Sequence, residues 1–243
     1  MELLLLSNST LPGEEFFQWP REHVRTFLAG YKKIGFVPLA AMPAMQEGYV
    51  QKVSAVFEQL GTEVVPLMGD GDLEVVLNGC DAVAVGGGNS FHLLRELYRN
   101  GLVRSIARKV RNGMPYLGWS AGSNVACPTI MTTNDMPVVE SPSLRAMHLI
   151  TFQINPHYTE ATIADHGGES RDQRIAEFLE VNPQMPVAGL REGSLLHVSG
   201  HMITLKGADM KLFRQGHPAL VVPDGSTFRS DLSDLKNEPS SAA

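Results

Sequence analysis

Cysteine is almost missing from the 243 residues: Cys80 and Cys127 are the only two, too few for a disulfide framework or a zinc site of four thiolates. Both read as buried thiols. Nowhere does the chain run through the roughly 18 consecutive apolar residues that a membrane span needs, so an integral membrane protein is not expected. Blocks of lysine and arginine are missing as well. The 26 acidic residues outnumber 20 basic ones, giving a net charge of −6, and a nucleic-acid or other polyanion partner is not expected. The amino terminus, Met1-Glu2 and then leucines up to Ser7, lacks the positive flank and the apolar length of a secretory signal, which points to the cytoplasm. No segment is of low complexity. With 43% apolar and 19% charged residues, the chain is long enough to bury a sizeable core in one α/β domain.

What is present is a rhythm. Short apolar runs at residues 2–6, 34–39, 63–67, 81–85 and 115–118 alternate with segments of helical period, which predicts a mostly parallel sheet flanked by helices. Tyr49, Val50, Val53, Val56, Phe57 and Leu60 recur at helical spacing before Gly61. A second helix is expected from Phe91, Leu94, Leu97 and Tyr98, ending at Asn100-Gly101. Beyond residue 126 come a polar stretch at 132–135, a strand at 149–154 and a helix at 171–179. Strand candidates at 187–190, 195–199, 202–206 and 219–222 suggest an antiparallel finish to the sheet. The domain is expected to span 1–223, with 224–243 a polar tail without order.

Gly118-Trp119-Ser120-Ala121-Gly122 follows the run at 115–118 and fits the G-x-S-x-G pattern of a nucleophile elbow. A serine at the tip of a tight strand-to-helix turn is held in strained backbone, and side chains at the flanking positions would collide with the neighbouring strand and helix. The turn projects the hydroxyl and leaves the amide of Ala121 free at a helix start. Gly86-Gly87-Gly88-Asn89 also follows a strand. It fits neither G-x-G-x-x-G nor G-x-x-x-x-G-K-[ST], so it reads as the second half of an oxyanion hole, the Gly88 amide opposing that of Ala121. A plain turn, or a loop holding a small anion in a non-enzymatic binding module, is the competing reading.

A serine hydroxyl is a weak nucleophile near neutral pH and needs a base. His157, in Asn155-Pro156-His157 just past the strand at 149–154, is placed at a strand end where catalytic side chains collect. His148, His166, His197, His201 and His217 read as surface or core residues, and none makes the H-E-x-x-H spacing of a zinc peptidase. The acid that orients the imidazole is either Asp135, in the polar stretch, or Glu192, just past a strand; periodicity does not separate them.

Taken together, residues 3–13, 85–89, 118–122, 127–129, 132–137, 153–157 and 171–175 resemble the peptidase E, or α-aspartyl dipeptidase, family, in order and along most of the chain. The resemblance implies a fold related to the class I glutamine amidotransferases, of flavodoxin-like type, with Ser120 where those carry a cysteine. It implies serine-type hydrolysis of Asp-X dipeptides without metal or cofactor. The nucleophile falls on Ser120 and the base on His157; both Asp135 and Glu192 match positions for the acid, with Asp135 preferred and Glu192 its rival. An amidotransferase itself is disfavoured, since Cys127 lies off the elbow. Arg171, opening a helix within a matched block, is the candidate to grip the substrate carboxylate, with Asn89 as a second substrate-binding residue. A cyanophycinase-like enzyme cutting β-linked aspartyl chains shares the same elbow and is the nearest rival. The chain departs from the family around 141–148 and beyond Pro223, and the sequence sets neither monomer nor homodimer.

Overall fold

Glu2 and the apolar run after it form the first strand, β1 (Glu2–Leu6), and burial explains why no polar residue follows Glu2: Leu3 and Leu5 face one core, Leu4 and Leu6 another. A parallel strand covered by helices on both faces needs apolar side chains at every position. β4 (Ala82–Val85) repeats the pattern, with Val83 and Val85 in the first core and Ala82 and Ala84 in the second.

The computed structural model describes residues 1–161 and 168–236. Around those two strands lie α1 (Arg21–Phe27), β2 (Lys33–Val37), α2 (Gln46–Gln59), β3 (Glu63–Pro66), α3 (Leu73–Asn78), α4 (Ser90–Arg99), α5 (Leu102–Arg111), β5 (Tyr116–Trp119) and α6 (Ala121–Asn124). The second half contributes β6 (Gln153–Tyr158), α7 (Arg171–Val181), β7 (Val187–Arg191), β8 (Leu195–Ser199) and β9 (Met202–Lys206). It closes with β10 (Met210–Phe213), β11 (Leu220–Val222) and β12 (Thr227–Arg229).

One sheet runs β12-β9-β8-β1-β5-β4-β2-β3, parallel from β1 to β3 and antiparallel from β1 outward through β8 and β9 to β12. A second sheet runs β11-β10-β7-β6. The α/β class and the mostly parallel main sheet agree with the sequence reading, but the expected single antiparallel finish divides. β8, β9 and β12 extend the main sheet, whereas β7, β10 and β11 pair outward from β6.

Other boundaries moved for identifiable reasons. The strand expected at 149–154 begins only at Gln153, because the amides of Leu149 and Ile150 donate to the Ala126 carbonyl at 2.8 and 3.4 Å and so pin that stretch as a loop on α6. His157 therefore lies inside β6, not past its end. The tail expected to lack order from Asp224 instead forms β12, and Phe228 and Leu232 are buried in the main core; residues 237–243 lie outside the described residues. Helices α1, α3 and α5 and strand β10 were not anticipated. In α5, Leu102, Val103, Ile106 and Val110 are buried while Arg104, Arg108 and Arg111 stay exposed, a helical stripe that the sequence carried. Cys80 and Cys127 are both buried and unpaired with each other. Among the described residues no helix is long and apolar enough to cross a membrane.

Candidate active site

Between β5 and α6 the chain reverses at Ser120, whose φ of 53° and ψ of −114° lie outside the regions open to ordinary L-residues. Two contacts hold that strain. The Ser120 amide donates to the Leu6 carbonyl at 3.1 Å, and the Asn124 amide donates to the Ser120 carbonyl at 3.0 Å. The flanking glycines are required by close approach rather than by flexibility. A Cβ on Gly118 would sit 2.6 Å from the Gly122 carbonyl oxygen, and one on Gly122 only 2.0 Å from that of Val85.

The loop after β4 faces this turn. A Cβ on Gly87 would come 3.0 Å from the Ser120 Cβ, and Gly88, at φ 141°, has no room for one beside Ala40. Among the described residues the amides of Gly88 and Ala121 have no acceptor, in contrast to Gly87, whose N–H donates to the Tyr49 hydroxyl at 3.1 Å. The same hydroxyl accepts from Trp119 Nε1 at 2.7 Å. Burial keeps the Tyr49 phenol above its ordinary value, so it stays neutral. One oxygen thus clasps the residue before Ser120 to the residue before Gly88.

His157 reaches the serine from the second sheet. Between Asn155 and Tyr158, β6 holds one residue more than the facing stretch of β7, a bulge, and His157 within it takes a φ of 53°. Bulges re-aim side chains, and this one turns the imidazole toward the elbow. His157 Nε2 is 2.8 Å from Ser120 Oγ, and Nδ1 is 2.7 Å from Glu192 Oε1, in the turn after β7. A carboxylate only accepts, so Nδ1 carries the proton and Nε2 is left to accept from the serine.

Asp135, the preferred acid from the sequence, is not the carboxylate at His157. Its Oδ2 accepts from the Ser90 amide at 2.7 Å and lies 3.1 Å from Thr133 Oγ1, so it caps α4. Asn89 is likewise engaged in the cap: Oδ1 accepts from the His92 amide at 3.0 Å and Nδ2 donates to the Met136 carbonyl at 2.8 Å. Both side chains brace the glycine loop at the start of α4. Arg171 opens α7 beside a small pocket of about 60 Å³ walled by Asn134, Asn155 and Arg174. Burial first, and then Arg174, pull its guanidinium below its ordinary value, and it has no partner among the described residues. His166 lies outside the described residues. Among those described, no group of three or more His, Cys, Asp or Glu side chains could hold a metal ion.

The sequence reading missed Ser7, Asn8 and Tyr49. Ser7 and Asn8 stood at the carboxyl end of a parallel strand, where ligand-binding groups of such sheets gather, and that position was a usable signal. Tyr49 carried none, being one more member of an apolar helical stripe.

A serine on such a turn, backed by an imidazole and a carboxylate in sequence, is the arrangement of serine-type hydrolases. The chain belongs to peptidase family S51, whose model matches residues 3–206. It is 47% identical to a Peptidase E of Nostoc sp. over 206 residues, 84% of this chain and 85% of that one. It is 44% identical to a Peptidase E of Streptomyces coelicolor over 240 residues, covering 98% and 97% of the two chains. The crystal structure of a peptidase from an acI-B1 Actinobacterium shares the fold, with a TM-score of 0.71 at 17% identity over 94% of this chain and 96% of that one.

Proposed function

We propose that the protein is a serine dipeptidase that cleaves dipeptides after an N-terminal aspartate. The observation that carries this reading is the unbroken run of hydrogen bonds from Ser120 through His157 to Glu192. His157 Nε2 takes the proton of Ser120 as Oγ attacks the scissile carbonyl carbon. The free amides of Gly88 and Ala121 then hold the oxyanion. Glu192 keeps the Nδ1 proton in place and stabilises the imidazolium, which returns its proton to the leaving amine. Water, deprotonated by the same imidazole, releases aspartate from the acyl-enzyme on Ser120.

The choice of aspartate is supported by the resemblance of the matched segments to the peptidase E, or α-aspartyl dipeptidase, family, a name that the relatives in Nostoc and Streptomyces coelicolor also carry. A buried substrate carboxylate requires a cation, and the partnerless, half-buried Arg171 is assigned that task. We also assign the enzyme to the cytoplasm, a setting in which the unpaired thiols of Cys80 and Cys127 stay reduced.

The test offers Asp-Leu, isoaspartyl-Leu and a β-linked aspartyl polymer side by side. Turnover of Asp-Leu alone is expected. Preference for the polymer or the isoaspartyl peptide would replace this reading with a cyanophycinase-like one. Inertness toward all three, together with a Ser120 that resists an organophosphonate, would leave a binding module.

A further inference from the structure

The proposed triad straddles two sheets. Ser120 stands at the end of β5 in the eight-stranded sheet, whereas His157 and Glu192 belong to β6 and to the turn after β7 in the four-stranded one. Something must set the two sheets in register to within the tolerance of a hydrogen bond, since a displacement of about 1 Å in such a site costs on the order of 100-fold in rate.

We propose that three consecutive residues at the end of β1, Leu6, Ser7 and Asn8, supply that register, with Ser7 the positioning residue for His157. Each addresses one member of the triad. The Leu6 carbonyl accepts the Ser120 amide at 3.1 Å. The Ser7 hydroxyl accepts the His157 amide at 2.9 Å and donates to the Leu190 carbonyl at 2.8 Å. Asn8 Oδ1 accepts the amide of Gly193, the neighbour of Glu192, at 2.9 Å. The Ser7 amide adds a bond to the Ser194 carbonyl at 3.0 Å.

Ser7 is the critical member for a physical reason. A bulge leaves its extra residue without a ladder partner, and a buried amide without an acceptor is costly. Ser7, fully buried, provides that acceptor from the other sheet and so stabilises the unusual φ of His157 that aims the imidazole. Its hydroxyl hydrogen is committed to Leu190, which fixes the lone pair toward His157. The straight part of β6 is anchored separately, by Asn124 Nδ2 donating to the Ile154 carbonyl at 2.9 Å. Loss of the Ser7 hydroxyl therefore releases the bulge while the strand stays attached.

This rests on the reading of Ser120 as the nucleophile, and the test separates the two. In the full chain, Ser7→Ala is compared with wild type for urea unfolding, organophosphonate labelling of Ser120, and kcat and KM on Asp-Leu. The expected result is a loss of about 100-fold in both kcat and labelling rate, with KM nearly unchanged. Ser7→Cys, which keeps a weak donor and acceptor at the same point, should fall between the two. Labelling and kcat equal to wild type would overturn the proposal, as would a loss that only follows the folded fraction. Should Ser7→Ala not fold, Ser7→Cys is judged by the same criteria. A wild type inert to the phosphonate overturns the nucleophile reading and this proposal with it, whereas a labelled wild type that spares Asp-Leu overturns the substrate alone.

Discussion

Glu192 Oε1 lies 2.7 Å from His157 Nδ1, while the Asp135 carboxylate is bound to the amide of Ser90 at the start of α4. The two acids therefore differ in what their loss removes. Glu192→Gln presents a neutral group to the imidazole and should lower kcat by roughly 10² to 10⁴-fold, the range for a triad acid. Asp135→Asn should leave kcat within about tenfold of wild type and cost about 1 kcal/mol of stability, as loss of a charged cap does. Steady-state kinetics and urea denaturation on both variants decide it; a larger kcat loss in Asp135→Asn would reverse the assignment.

Ser120 is strained in the folded state, with a φ of 53°. Relief of such strain is worth about 1–3 kcal/mol, against about 0.5–1 kcal/mol for the extra freedom glycine gives the unfolded chain. Ser120→Gly should thus be inactive yet about 1 kcal/mol more stable than wild type. Its urea midpoint is the measurement, and a midpoint below that of wild type would show that the turn is not strained.

Tyr49, itself largely buried, offers one oxygen to two donors, Trp119 Nε1 and the Gly87 amide. Tyr49→Phe keeps the ring packing against Phe36 and Trp119 but orphans both donors. A stability loss of about 2 kcal/mol is expected, with kcat reduced because the glycine loop is freed beside Ser120. Unchanged kcat in a fully folded variant would show that the clasp does not serve the oxyanion loop.

Beside the site, Lys211 Nζ contacts Asp172 at 2.7 Å and Glu160 at 3.0 Å, and the Tyr158 hydroxyl donates to Asp172 at 2.5 Å. Burial works against ionisation of Asp172, but the bonds from Lys211 and Tyr158 prevail and hold its carboxyl below the ordinary value. A carboxylate depressed in the folded state contributes stability that is fully present above its unfolded value, about 3.9, and is lost as pH falls through the folded one. Wild type should therefore lose stability on acidification below about pH 4 more steeply than Lys211→Met does. With the Asp172 side chain 41% exposed, solvent screening limits the difference to about 1 kcal/mol. Urea midpoints from about pH 2 to 5 test this, and parallel slopes would rule it out.

Local requirements account for what could be read without coordinates. The elbow was readable because crowding at Gly118 and Gly122 arises between residues close in sequence or in adjacent strands. β1 and β4 were readable because burial on both faces leaves uninterrupted apolar runs. The partner of His157 was not. Residues 157 and 192 meet through a bulge in β6 and a turn after β7, and no periodicity records either event.

The amino-acid sequence by itself determined the α/β alternation and the serine on its turn, because propensity, apolar period and glycine crowding act over short separations. Only the tertiary structure decided that β6 begins a second sheet, that Glu192 rather than Asp135 faces the imidazole, and that Ser7 reaches His157 across the seam. Those outcomes rest on hydrogen bonds between residues 35 to 150 positions apart, which form only once both sheets have packed.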